Sequence, residues 1–262
     1  IMRTGGKTVK NVTGYDLTRL LTGSEGTLGV VTEVILRLVP KPQTKSTALI
    51  AFDKLVDAAR AIGSIVANGI IPVTIELMDD TTIHCVEANN KIGLPLDVEA
   101  VLLIEVDGKA EQVKSDIEDI AEICRKEGAS SVEVATDKAG MDRLWKGRRA
   151  VSASVLQLGP TKISEDATIP RSQIPAMVVK LKEIAKKYDI PMPIYGHAGD
   201  GNMHPNIVAD KDNPEEMARV KKATDEIFEA ALALGGTLSG EHGIGLMKKD
   251  YMEMAYGKVG VD

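Results

Sequence analysis

From Thr47 onward the apolar positions of this chain switch back and forth between strand-like and helical spacing, and each switch marks an element. Residues 48–52 read as a strand. Over residues 54–68 the period becomes helical, with Leu55, Ala58, Ala59, Ile62 and Ile65 on one face and Gly69 as the stop. Residues 73–78, 100–106 and 131–135 give further strands, and 80–88 and 111–126 further helices, the second ended by Gly128. A long helix is predicted over 137–158, carrying the single tryptophan, Trp145, and residues 161–170 read as extended. Ser172 stands where it would cap a helix reaching residue 188, whose stripe of Ile174, Val178, Leu181, Ile184 and Ala185 belongs to a core. Residues 214–234 form another amphipathic helix, stopped by Gly235 and Gly236, and Lys248, Lys249 and Asp250 are expected on a final solvated helix.

This alternation predicts an α+β fold in which an antiparallel sheet is covered by helices on one face. The first forty residues have a different character. Residues 16–21 read as a short helix, and 28–39, rich in β-branched side chains, as a long strand ended by Pro40, Lys41 and Pro42. The proline pair sets the expected boundary between a segment 1–40 and a domain 41–262. The chain opens in what reads as mid-strand and stops without a closing element, so a fragment of a longer protein is expected.

At 44% hydrophobic residues the chain can bury a large core. A net charge of −6 without a long basic run argues against a nucleic-acid surface. Cys85 and Cys124 lack metal or redox spacing and read as buried thiols on separate helices, which suggests a reducing, cytoplasmic setting. No apolar run approaches the roughly 20 residues of a membrane span, so any peripheral membrane association would come through a partner.

The chemistry concentrates in two stretches. Gly196-His197-Ala198-Gly199-Asp200-Gly201-Asn202-Met203-His204 and Ser239-Gly240-Glu241-His242-Gly243 together hold three of the four histidines. Gly199, Gly201 and Pro205 disfavour a helix there and favour strand, glycine turn, strand. Two imidazoles then converge from neighbouring strand ends. With the Glu241 carboxylate, His197 and His204 make a ligand set for zinc or a similar divalent ion that leaves coordination positions open, as catalytic sites do. On extended backbone His242 would point away from Glu241, free to act as a general base. Arg148 and Lys162 are candidate cations for a substrate carboxylate, Arg148 by a bidentate fork. Gly23, Gly26 and Gly29 lie between helix and strand, the reverse of the dinucleotide fingerprint, but would let backbone approach a flat or anionic ligand.

These two stretches, with Asn11-Val12-Thr13-Gly14-Tyr15-Asp16-Leu17 and Gly23-Ser24-Glu25-Gly26-Thr27-Leu28-Gly29, resemble the signatures of the FAD-linked oxidases of the vanillyl-alcohol-oxidase superfamily. The first pair resembles their C-terminal domain, which has ferredoxin-like elements, and the second the end of their FAD-binding domain. Within that group the resemblance is to the glycolate oxidase flavoprotein subunit and to D-lactate and D-2-hydroxyglutarate dehydrogenases. It implies oxidation of a 2-hydroxy acid to the 2-oxo acid, with hydride passing to FAD. It further implies metal ligation by His197, His204 and Glu241, proton abstraction by His242, substrate contacts from Arg148, Lys162 and Asn206, and flavin contacts from Glu25, Gly26, Gly29 and Val30. Ser152 stands where relatives place a threonine. An electron-transfer flavoprotein or iron–sulfur subunit is the partner class implied. The loop that grips the FAD pyrophosphate would lie upstream of Ile1, so this chain alone is expected to bind FAD weakly or not at all.

Two other readings compete: a metal-dependent hydrolase in which His242 activates a bound water, and a non-catalytic subunit docking an electron-transfer partner. The stretch from Gly23 to Gly29 speaks against the hydrolase. A donor set of three, where structural zinc sites have four, speaks against a purely structural metal.

Overall fold

The computed structural model describes residues 1–262. A short helix, α1 (Leu17–Leu21), begins on the Asp16 carboxylate, which accepts a hydrogen bond from the Arg19 amide. There follow β1 (Thr44–Phe52), α2 (Leu55–Ala67), β2 (Thr74–Asp79), α3 (Asp80–Asn90), β3 (Ala100–Gly108), α4 (Ala110–Lys126), β4 (Ala129–Ala135) and α5 (Lys138–Ser154). The second half contains β5 (Thr161–Ser164), β6 (Ala167–Thr168), α6 (Ile174–Tyr188), β7 (Ile194–His197), β8 (Asn202–Ala209), α7 (Pro214–Ala233) and α8 (Met252–Val261).

The eight strands form one antiparallel sheet in the order β4-β1-β3-β2-β7-β8-β5, with β6 adding to β8. In its first half, β3 lies between β1 and β2, and β1 between β3 and β4, so α2 and α4 are crossovers of the split βαβ kind. The expected α+β sandwich is thus observed, but helices cover both faces of the sheet. A core of 37 buried residues joins α2, α4, α6 and α7 to one face, and a second of 15 joins α3 and α5 to the other. The reason lies in the strands. Ala48, Leu49, Ile50, Ala51 and Phe52 are apolar at consecutive positions, as are residues 100–104, so both faces of β1 and β3 have to be removed from water.

Some local expectations are corrected. Residues 28–39 form no strand and stay exposed, because no other strand of this chain lies beside them to exchange backbone hydrogen bonds. Ser172 does not cap α6; residues 171–173 form a 3₁₀ turn and Gln173 precedes the first helical residue, with Pro175 in the first turn. Lys248 is not solvated but 5% exposed, and it leads into a 3₁₀ turn and then α8. The helix expected over 137–158 is α-helical only to Ser154 and tightens into a 3₁₀ turn at Val155–Leu158. Cys85 and Cys124 lie on α3 and α4 as separate buried thiols. No helix is long and apolar enough to cross a membrane.

Candidate metal and substrate site

Period-two alternation along four strands builds the site. Glu76 on β2 faces His197 on β7, Tyr195 faces His204 on β8, and on β5 Ser164 faces Asn206 and Lys162 faces Val208. Side chains two apart share a sheet face, so Glu76, Tyr195, His197, His204, Asn206 and Lys162 project to the side that carries α3 and α5. Their neighbours Leu77, Ile194, Met203 and Ile207 point the other way, into the larger core. The β7–β8 turn needs its glycines. Gly201 has φ +76°, and a Cβ there would run into the Ile169 carbonyl oxygen; a Cβ on Gly196 would stand 2.5 Å from the Asn202 carbonyl oxygen.

His197, His204 and Glu241 come together as the sequence suggests, their ligand atoms all within 4.8 Å of one another. Glu241 Oε1 lies 3.2 Å from His204 Nε2 and 3.8 Å from His197 Nε2. A divalent ion bound at the usual ~2.0–2.2 Å from each donor spans separations of that size. The opposite ring nitrogens are also engaged: His197 Nδ1 is 2.7 Å from Glu76 Oε1, and His204 Nδ1 is 3.3 Å from the Glu165 carbonyl oxygen. Acceptors at both Nδ1 atoms favour protons there and leave both Nε2 lone pairs facing Glu241, the arrangement that metal-binding histidines use. Burial pushes His204 below the ordinary imidazole value, with the Glu241 charge offsetting it only in part, so the ring is held in its ligating neutral form. The donor chemistry therefore fits a divalent ion.

His242 departs from its expected direction. Its ring stacks on His204, with centroids 5.4 Å apart, and its Nε2 lies 3.7 Å from Glu241 Oε1. The loop is not extended there, because one carboxylate gathers it. Asp166 Oδ2 accepts from the Ser239 hydroxyl (2.9 Å) and from the amides of Gly240 (3.0 Å), Glu241 (2.7 Å) and His242 (2.8 Å). Asp166 Oδ1 pairs with the buried Lys248 ammonium and lies 3.6 Å from His242 Nδ1. Beside this pair Glu165 is buried with Oε2 unbonded, and desolvation raises its carboxyl to about 7 despite Lys248 at 3.9 Å. Sequence reading missed Glu165, Asp166 and Lys248. The only signal was two acids together in a stretch otherwise read as extended.

Burial alone would raise the Asp166 carboxyl, but the Lys248 ammonium and the loop amides outweigh it and hold it at about 2. A carboxyl depressed on folding stabilises the chain above its unfolded value of about 3.9, and that contribution disappears as pH falls through 2. The stability gap between the parent and Asp166→Asn should accordingly shrink by about 2 kcal/mol between pH 5 and pH 2. Urea unfolding at both pH values reads this directly, and an unchanged gap would contradict it.

The other candidates surround the donor set. Arg148 on α5 donates from Nε to Glu76 Oε2 at 2.8 Å and lies over the Tyr195 ring, 5.3 Å from its centroid. Its Nη groups make no hydrogen bond within the chain. The Tyr195 hydroxyl donates to Asn206 Oδ1 at 3.1 Å, while Asn206 Nδ2 donates to the His204 carbonyl at 2.7 Å. Lys162 Nζ reaches the Ser152 hydroxyl at 2.5 Å, and burial lowers its pKa. Glu76 and Tyr195 were also missed by sequence reading: Glu76 lies in a strand of mostly buried residues, and Tyr195 is itself a buried aromatic.

The N-terminal glycines lie apart from this cluster. Gly23 and Gly26 have φ near +80°, with no heavy atom within 4 Å of where a Cβ would stand, and Gly29 has only Leu21 at 4.0 Å. The backbone at Gly26, Gly29 and Val30 is exposed. Glu25 is committed elsewhere, its carboxylate accepting from the amides of Ile244 (2.6 Å) and Gly245 (3.0 Å) just beyond His242.

Residues 41–262 match the family described as FAD linked oxidases, C-terminal domain. The chain is 51% identical over its full length to glycolate oxidase subunit GlcD of Bacillus subtilis, covering 56% of that protein. It is 42% identical to the same-named subunit of Escherichia coli K12, over 91% of this chain and 48% of that one. It is 35% identical to a probable mitochondrial D-lactate dehydrogenase of Danio rerio, over all of this chain and 53% of the relative. The chain thus spans about half the length of the curated relatives it matches. Among solved structures, p-cresol methylhydroxylase with substrate bound superposes with a TM-score of 0.63 at 14% identity, over 84% of this chain and 49% of the other. Alkyldihydroxyacetonephosphate synthase reaches 0.63 at 16%, over 94% and 50%, and at these identities both likenesses concern the fold alone.

Proposed function

The chain belongs to the FAD linked oxidases through their C-terminal domain, and from that premise we propose that it forms the substrate half of an enzyme oxidising a 2-hydroxy acid to the 2-oxo acid. The observation that carries this reading is the convergence of His197, His204 and Glu241 beside Arg148, Lys162 and Asn206 on one sheet face. A 2-hydroxy acid has a hydroxyl and a carboxylate on adjacent carbons. The site offers an open donor set for the first and cations for the second.

His197, His204 and Glu241 would hold a divalent ion, zinc by ligand type, which when bound supplies Lewis-acid polarisation of the substrate hydroxyl. Gly26, Gly29 and Val30 would lie against FAD, which when bound would supply the hydride acceptor. The remaining work belongs to side chains. Arg148 takes the substrate carboxylate on its free Nη groups, and Lys162 adds charge from β5. His242 receives the hydroxyl proton on Nε2, its Nδ1 standing 3.6 Å from Asp166 Oδ1. Asn206, fixed by Tyr195 and the His204 carbonyl, orients the acid. Two of the relatives are named as subunits, and we extend that assembly to this chain, with an electron-transfer flavoprotein or iron–sulfur chain as the partner class.

The test uses the whole enzyme, with its FAD-binding half present, purified with its flavin. Anaerobic addition of glycolate or D-lactate should bleach the flavin absorbance, and Glu241→Gln should slow bleaching by at least roughly 100-fold with flavin still bound, the scale of a lost charge-stabilising donor. Bleaching that proceeds unchanged in the variant, or that 3-hydroxybutyrate elicits equally well, would overturn the reading.

A further inference from the structure

Glu76 is the carboxylate that hydrogen-bonds to both halves of the site, to His197 and to Arg148. Its carboxylate is 5% exposed and projects from the middle of β2. Oε1 accepts from the Thr74 hydroxyl at 3.0 Å and faces His197 Nδ1 at 2.7 Å, while Oε2 accepts from Arg148 Nε at 2.8 Å. A buried carboxylate with a cation on one oxygen and an imidazole N–H on the other is fully engaged, and neither partner can move without turning it. Arg148 itself is boxed in, with the Tyr195 ring beneath it and only 15% of its side chain exposed.

We propose that Glu76 is a positioning residue that couples the metal-binding histidine to the carboxylate-binding arginine and so fixes the spacing between the groups that receive the hydroxyl and the acid. The inference rests on the reading of the donor set and Arg148 given above. It adds a specificity device to that reading. Glu76 makes His197 a better ligand by accepting its Nδ1 proton, and holds the Arg148 fork at a set distance from that ligand. Two planar groups held on the two oxygens of one carboxylate favour acids with hydroxyl and carboxylate on adjacent carbons over those with an extra methylene between. Arg148 in turn keeps the Glu76 carboxylate from rotating away from His197.

The coupling has a readout that does not depend on turnover. Zinc affinity of the full chain is measured by competition against a chromophoric chelator, for the parent, Glu76→Gln, Arg148→Met, the double variant and His197→Ala. Circular dichroism and thermal unfolding establish that each is folded. Glu76→Gln keeps the shape of the side chain and should weaken zinc binding about 10–100-fold, the cost of losing an outer-shell acceptor. Arg148→Met, which touches no metal donor, should weaken it by about 3–10-fold in the parent and by less than about 2-fold once Glu76 is glutamine, since the coupling runs through that residue. Additive effects of the two substitutions, or zinc affinity unchanged in Glu76→Gln, would overturn the coupling while leaving the metal site intact. Zinc affinity that His197→Ala leaves unchanged would instead overturn the donor set, and the coupling with it. Flavin-containing protein gives a second readout: Glu76→Gln should raise KM for D-lactate more than it lowers kcat and should narrow the preference over 3-hydroxybutyrate, and an unchanged preference would sink the spacing role.

Discussion

Glu241→Ala and His204→Ala should each yield a folded chain that retains no zinc, against one equivalent in the parent. Each substitution removes one of three converging donors, and the two that remain do not hold a divalent ion against a competing chelator. The fall in affinity should exceed about 100-fold, more than loss of an outer-shell partner costs. Glu241 is the cleaner test, because its side chain is 48% exposed and its backbone, not its carboxylate, anchors the loop. His204 is buried between Tyr195 and His242, so His204→Ala also opens a cavity and should unfold at a lower temperature. Elemental analysis of both variants beside the parent decides the matter; stoichiometric zinc in either one would show that the donor set is wrongly assigned.

Asp166→Ala should be the most destabilising substitution around the site, by about 3–5 kcal/mol, the range for breaking a buried ion pair from one side. Its removal leaves the Lys248 ammonium buried without its partner and strips an acceptor from one hydroxyl and three consecutive amides. Glu165, 3.9 Å from Lys248, can take up part of the charge, which sets the lower end of that range. The loop carrying Glu241 and His242 should loosen with it. Urea unfolding gives the first number, and zinc affinity measured on the folded fraction gives the second. A loss under about 1 kcal/mol, the scale of an exposed pair, would mean that Lys248 and the loop find water instead.

The elements of the sandwich were legible because strand and helix periods are local properties, and glycine marked the β7–β8 turn because its backbone requirement is local too. The clustering of His197, His204 and Glu241 was legible for a related reason: histidine is rare in this chain, and three of its four copies sit among glycines. What escaped is what depends on partners distant in sequence. Glu76 meets His197 across 121 positions, and Asp166 meets Lys248 across 82. Before folding, Glu76 is an acid in an apolar strand and Lys248 one of two adjacent lysines. Residues 28–39 failed in the opposite sense, having strand propensity without a neighbouring strand, and propensity cannot supply hydrogen-bond partners. The two-faced cover of the sheet was present in the sequence as consecutive apolar residues at 48–52, but a short run of that kind does not say where its helices come from.

The alternation along β7 and β8 also makes the protein its own assay for correct folding. Slippage of this hairpin by a single residue would exchange every side chain between faces, sending His204 and Asn206 toward the large core and turning Met203 and Ile207 outward. Misregistered molecules would then carry neither a packed core nor a cluster of imidazoles. Cobalt added to the proposed donor set, with a visible colour that reports its ligands, would therefore count correctly threaded hairpins in a refolding mixture.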